Sequence, residues 1–92
     1  MQQKAIITVV GKDHVGIIAR VCNFLAGKKI NILDISQTIV SGYFNMMMVV
    51  DVTLMEEKFS DVADELSAFG KDEIGVQIKM QREEIFDSMH RI

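Results

Sequence analysis

The stretch Ile30-Asn31-Ile32-Leu33-Asp34-Ile35-Ser36-Gln37-Thr38-Ile39-Val40-Ser41-Gly42-Tyr43-Phe44-Asn45-Met46-Met47-Met48-Val49-Val50-Asp51-Val52-Thr53 reads as a β-hairpin, and its place in the middle of the chain decides the fold. The first arm, Ile30 to Val40, is rich in β-branched residues but carries polar groups on both faces, the pattern of an edge strand. Ser41-Gly42-Tyr43 supplies the turn. The returning arm, Phe44 to Thr53, alternates. Phe44, Met46, Met48, Val50 and Val52 share one face, and Asn45, Met47, Val49, Asp51 and Thr53 share the other.

Outward from the hairpin, each flank carries a helical period. On the N-terminal side Ile17, Ile18, Val21, Cys22 and Leu25 predict a helix over 15–26. Asp13 stands where its N-cap belongs, and Gly27, just before Lys28-Lys29, is expected to give a left-handed exit with cations at the negative end of the helix. On the C-terminal side Phe59, Val62, Ala63, Leu66 and Phe69 mark a second helix, with Glu56 and Glu57 near its positive end and Gly70 past its finish. Further out, Lys4 to Val10 is a β-branched run stopped by Gly11, apolar enough for a central strand. Ile74, Val76, Ile78 and Met80 alternate with Gly75, Gln77, Lys79 and Gln81 as a fourth strand.

The resulting order, βαββαβ, is that of an α+β ferredoxin-like sandwich. Four antiparallel strands carry two helices on one face, with the first and third strands central and the second and fourth at the edges. Beyond it, Ile85, Phe86 and Met89 recur at helical spacing among Glu83, Glu84 and Asp87, which predicts a short amphipathic C-terminal helix docked on its own sheet or on a partner subunit. With no linker or low-complexity stretch, the chain reads as one domain over 1–92, with a core over 4–81 and a helical extension over 82–92.

Composition narrows the function. At 92 residues and 49% hydrophobic content the chain can bury a modest core, and association with another subunit would help it. No apolar run approaches the roughly 18 residues of a membrane helix, and the N-terminus leads into strand-like sequence rather than a signal peptide. One cysteine, Cys22, permits no internal disulfide and no Cys-x-x-Cys site, in keeping with a cytoplasmic protein. A net charge of -3 lacks the basic excess that drives nucleic-acid binding, so no nucleic-acid partner is expected.

A fold of this kind serves many chemistries, so the residues must decide. Paired thiolates at the first loop, as a heavy-metal carrier needs, are absent there. The first strand has no aromatic side chain on which an RNA base could stack. The nearest arginine to that loop, Arg20, lies a turn too far along to clamp a phosphate as an acyl-phosphate hydrolase would. No Ser-His-Asp, Cys-His or paired-carboxylate arrangement is visible, and neither enzymatic activity nor a cofactor is expected.

Two patterns remain. Gly11-Lys12-Asp13-His14-Val15-Gly16-Ile17-Ile18-Ala19 joins the first strand to the first helix, and Asn31-Ile32-Leu33-Asp34-Ile35 opens the second strand. Together, in register within βαββαβ over Lys4 to Gln81, they resemble the ACT domain, a small ligand-sensing module of amino-acid metabolism, including the repeats of glycine-cleavage regulators. Asp13 to Gly16 matches the family's loop of Asp or Asn, a variable pair and Gly, and Asn31-Ile32 matches its strand opening.

The resemblance implies a pocket for an amino acid or similar small zwitterion between the first loop (Asp13, His14, Val15, Gly16) and the strand opening (Asn31, Ile32). Such a pocket usually lies at a dimer interface. A glycine at a helix start admits a carboxylate to backbone N–H donors, and an asparagine offers both a donor and an acceptor. The second-strand edge, the C-terminal helix or both would pair two copies.

Each residue also has a plainer reading. Asp13 caps the helix; His14 is a solvated side chain and no metal ligand; Gly16 lets helix and sheet pack closely; Asn31 makes a strand-edge hydrogen bond. Cys22 and the Met46-Met47-Met48 run fill the core. The competing function is a protein-interaction adaptor that docks on a larger metabolic enzyme or regulator without a ligand.

Overall fold

The alternation of the hairpin is realised in the backbone. In a computed structural model that describes residues 3–83, β2 (Asn31–Val40) and β3 (Tyr43–Asp51) pair antiparallel, with Val40 opposite Tyr43. Ser41 and Gly42 form a two-residue turn with φ of 52° and 80°, the arrangement whose twist matches the flanking strands. Phe44, Met46, Met48 and Val50 are buried, whereas Asn45 and Met47 are exposed. Past β3 the Asp51 carboxylate accepts hydrogen bonds from the Thr53 amide (2.9 Å) and hydroxyl (2.5 Å), which turns the chain out of the sheet.

Two further strands complete the sheet, β1 (Lys4–Lys12) and β4 (Val76–Arg82), in the order β2-β3-β1-β4. Strands one and three are therefore central and two and four are edges, as their hydrophobicity predicts. Gly11 does not stop β1. It pairs with Phe44 on one side and Val76 on the other, and a Cβ there would come within 2.7 Å of Val76 Cγ1. Glycine at this position permits a close strand approach instead of marking an end.

The helices, α1 (Ile17–Gly27) and α2 (Phe59–Phe69), cover one face. Val21 and Leu25 of α1 and Val62 and Leu66 of α2 are fully buried against Ala5, Ile7, Val9, Met48, Val50 and Ile78 of the sheet. Each such aliphatic side chain contributes about 1.5–3 kcal/mol of transfer free energy. The Phe24 and Phe69 rings meet between the helices at 5.0 Å. On the other sheet face Ile6 is buried, but Val10, Asn45, Met47, Gln77 and Lys79 are exposed.

Both helix exits differ from expectation. Gly27 is the last residue of α1, and the left-handed residue is Lys29, at φ 61°. The amides of Lys29 and Ile30 donate to the Ala26 and Leu25 carbonyls at 3.1 and 3.0 Å, a Schellman closure in which buried Ile30 packs back towards buried Leu25. The two lysines do stand at the negative end of the helix. They are paired, Lys28 with Glu57 (2.8 Å) and Glu65 (2.7 Å), and Lys29 with Glu56. Glu56 and Glu57 thus bridge to α1, and Asp61 is the acidic residue in the first turn of α2.

Gly70 does not end α2 in a left-handed conformation; its φ is -61°. The chain widens there into a π-helical turn over Gly70–Ile74, closed by the Gly75 amide on the Gly70 carbonyl at 2.7 Å, and leaves at Gly75 with φ 81°. What position 70 requires is absence of a side chain. A Cβ would lie 2.6 Å from Ile78 Cδ1 and 3.0 Å from the Val76 carbonyl oxygen.

The first residue of the expected extension belongs to the sheet. Arg82 is the last residue of β4, with its guanidinium 4.4 Å from the centre of the Phe59 ring. Residues 84–92, with Ile85, Phe86 and Met89, lie outside the described residues. Among the described residues no helix is long and apolar enough to cross a membrane.

Two outcomes follow from this packing. Gly70→Ala is expected to lower stability by about 1–3 kcal/mol through overpacking against β4, whereas Gly27→Ala, with open space at its Cβ, leaves it within about 1 kcal/mol of the parent. Urea denaturation of the two variants checks the contrast.

The second concerns pH. Hydrogen bonds that the Lys28 ammonium donates to the carboxylates of Glu57 first and Glu65 second hold it above its usual value of 10.5, and Lys28 holds the Glu65 carboxyl below its own usual range. The depressed Glu65 stabilises the fold at neutral pH and loses its effect as pH falls through the acid range. The raised Lys28 does the same on the alkaline side, as pH climbs past 10.5. Lys28→Met should therefore lower Tm by a small amount at neutral pH and by less in acid and in alkali, measured by thermal melts across that range.

Candidate functional site

The first loop is built by a strand that runs on further than its helix can follow. β1 ends at Lys12, and the Asp13 amide donates to the Gly42 carbonyl at 2.9 Å, which fastens the loop to the hairpin turn. Asp13 therefore does not cap α1. The N-cap is Gly16, three residues later, with no side chain to offer. His14 fastens the other side: its Nε2–H donates to the Ile74 carbonyl at 2.9 Å, and Nδ1 lies 3.2 Å from the Val15 carbonyl. His14 is thus more than a solvated side chain. It satisfies a carbonyl of the π-turn that helix geometry would leave open.

Held at both ends, the loop presents Val15 to solvent, 99% exposed. Gly16 follows at φ 95°, with nothing within 4 Å of where a Cβ would stand. Close packing of helix on sheet is not what requires glycine here. The left-handed turn into α1 requires it, and the space outside is open. The first intrahelical bond is the Arg20 amide to the Gly16 carbonyl at 3.1 Å, so the amides of Ile17, Ile18 and Ala19 open towards that space without a side-chain cap.

Asn31 and Ile32 are elsewhere. Asn31 is exposed at the first position of β2, opposite Asp51, which in turn lies opposite Lys4. From Lys4 to Lys12 a strand rises about 27 Å. The first loop and the opening of β2 therefore lie at opposite ends of the sheet within one chain. Ile32 is half-buried and packs on the core opposite Val50.

β2 separates these two ends and is exposed along most of its length. Leu33, Ile35, Ile39 and Val40 are 41%, 40%, 57% and 61% exposed, although Ile35 and Ile39 lie on the same side as the helices. Among the described residues no strand lies beside its outer edge. A register shift between Ile32 and Asp34 puts a bulge at Leu33.

The sequence gives little warning of one residue near the loop. Arg20 turns from the first loop towards the π-turn, where Nη1–H donates to the Glu73 carbonyl at 2.7 Å. His14 and Arg20 between them hold two successive carbonyls of that turn. The signal for Arg20 was its place one helical turn after Gly16, but the π-turn that receives it has no sequence signature. Cys22 is half-buried against the core, Met46 and Met48 are buried, and Met47 is exposed on the open sheet face. Among the described residues no group of three or more His, Cys, Asp or Glu side chains could hold a metal.

Comparison with known proteins fits this geometry. Residues 3–81 match the family model of the ACT domain, a span that takes in both helices and the sheet up to the last residue of β4. A UPF0237 protein of Bifidobacterium longum is 60% identical over 89 residues, covering 97% of this chain and 98% of its own. The solved ACT domain protein from Streptococcus pneumoniae is 44% identical, superposes with a TM-score of 0.82, and is covered to 97% by 95% of this chain. A structure assigned as a glycine cleavage system transcriptional repressor shares the fold at a TM-score of 0.70 and 20% identity, over 89% of this chain and 46% of its own. With the sheet order, both helices and the first loop all within the matched segment, the chain belongs to the ACT domain family.

Proposed function

We propose that this chain is a non-catalytic regulatory subunit that pairs with a second copy through β2 and binds an amino acid or similarly small zwitterion where the two copies meet. The observation that carries the reading is the exposed, unpaired edge of β2 with the candidate residues at its two ends. If two β2 strands pair antiparallel across a two-fold axis, the first residue of each lies beside the last residue of the other. Asn31 of one copy then comes beside Val40 of the other, next to the hairpin turn to which the Asp13 amide is fastened. A 27 Å separation within one chain, estimated from the strand rise, becomes a neighbouring contact between chains.

The chemistry suits such a ligand. The uncapped amides at the start of α1 and the open space beside Gly16 favour a carboxylate. The Asn31 amide and the Asp13 carboxylate offer acceptors for an ammonium group. Membership of the ACT family, together with a fold shared with a structure assigned as a glycine cleavage system transcriptional repressor, supports a sensing role over a catalytic one. The reading places the chain in the cytoplasm, where a lone reduced cysteine persists.

Calorimetric titration with each standard amino acid, alongside sedimentation, tests the proposal. The expected result is a dimer that binds at least one of them saturably. Asn31→Ala should weaken binding about tenfold to a hundredfold. Ile35→Lys with Ile39→Lys should yield a folded monomer that no longer binds. A chain that is monomeric throughout overturns the interface, and a dimer that binds no amino acid at millimolar concentration overturns the sensing role in favour of an adaptor.

A further inference from the structure

On the helical face, away from β2 and one turn along α1 from the first loop, α1 and the end of α2 enclose a shallow groove of about 500 Å³ lined by Arg20, Asn23, Phe24, Phe69 and Glu73. The spacing explains how it forms. Arg20, Asn23 and Phe24 are i, i+3 and i+4 on α1, and Phe69 and Glu73 are i, i+4 where α2 passes into the π-turn, so each helix turns one short stripe towards the other.

The floor is aromatic. Phe24 and Phe69 are half-buried with their rings 5.0 Å apart and inclined at 32°. At the rim the charges are arranged unusually. The Arg20 guanidinium is spent in part on the Glu73 main-chain carbonyl, at 2.7 Å, and makes no ion pair with the Glu73 carboxylate. Among the described residues neither that carboxylate nor the Asn23 amide has a protein partner. Lys28, 5.7 Å from the Phe24 ring, is already paired with Glu57 and Glu65. It adds no free charge. The groove thus carries one positioned cation and one free carboxylate, side by side above an apolar floor.

We infer that this groove binds a small zwitterion with an apolar, ring-sized side chain. Its carboxylate would take the unused N–H groups of Arg20, its ammonium the Glu73 carboxylate, and its side chain the Phe24–Phe69 floor. A ligand carrying one charge satisfies one side and leaves the other solvated, so the two charges together set selectivity. An open, solvent-facing groove of this kind supports millimolar rather than tighter affinity. The site lies within one chain, so it neither needs the β2 interface nor depends on the amino-acid site proposed there.

Amide chemical shifts of the full chain, titrated with L-phenylalanine, 3-phenylpropionate and phenethylamine, provide the test. L-phenylalanine should give saturable shifts centred on residues 20–24 and 69–75 and bind more tightly than either singly charged analogue. Glu73→Gln keeps the main-chain carbonyl that Arg20 uses and removes only the carboxylate. It should weaken L-phenylalanine and phenethylamine about tenfold and leave 3-phenylpropionate unchanged. Asn31→Ala should leave all three as they were, whatever the fate of the interface site. The inference is overturned if no saturable shifts centre on those residues at tens of millimolar, or if Glu73→Gln weakens the three probes equally.

Discussion

Everything in this chain depends on an apolar layer that is shorter than the sheet it covers. Two helices of 11 residues each, about 16 Å long, lie on strands of up to 10 residues that reach about 33 Å. They bury Ala5, Ile7, Val9, Met48, Val50 and Ile78 almost completely, and they stop short of β2. Ile35 and Ile39 point to the helical side and remain about half exposed, not because their sequence is polar but because among the described residues no helix covers them. A domain of this size holds together with that shortfall and has apolar edge left over. The exposed β2 edge is therefore a consequence of the core, and the regulatory dimer proposed for it uses what the core cannot bury.

The same core explains what could be read in advance. Strand and helix identities follow from burial on one side, and burial leaves a period: two in Phe44, Met46, Met48, Val50, and three to four in Phe59, Val62, Leu66. Central and edge strands were legible for the same reason. Helix ends were less so, because a chain terminates a helix in more than one way. Glycine after an apolar stripe suggests a left-handed exit, yet at Gly27 the exit falls on Lys29, fixed by Ile30 returning to Leu25. At Gly70 the residue answers to the approach of Ile78, a contact eight positions away that only the folded β4 supplies.

The candidate site was legible in part, and the reason is again physical. Gly16 is identifiable because a left-handed turn into a helix needs a specific residue type. Asp13 and His14 were identified as members of the loop, but their roles depend on carbonyls of Gly42 and Ile74, which come from distant parts of the chain. Main-chain carbonyls carry no sequence signal. The separation of Asn31 from the loop likewise becomes visible only with the strand register, although the resemblance had already implied a pocket of the kind that usually lies at a dimer interface.

The π-turn ties these elements together. Its wide winding leaves the carbonyls of Glu73 and Ile74 facing α1, and a buried or half-buried carbonyl needs a donor. The chain supplies two, His14 from the first loop and Arg20 from α1. Because Arg20 answers the main chain of Glu73, the Glu73 carboxylate has no counter-ion among the described residues, and an irregular turn in the backbone becomes a charged rim on a groove. Because His14 answers Ile74, the loop that opens beside Gly16 is held still without using the helix N-terminus itself. Backbone satisfaction, rather than any side chain placed for binding, is what leaves both the α1 amides and the Glu73 carboxylate open to a ligand.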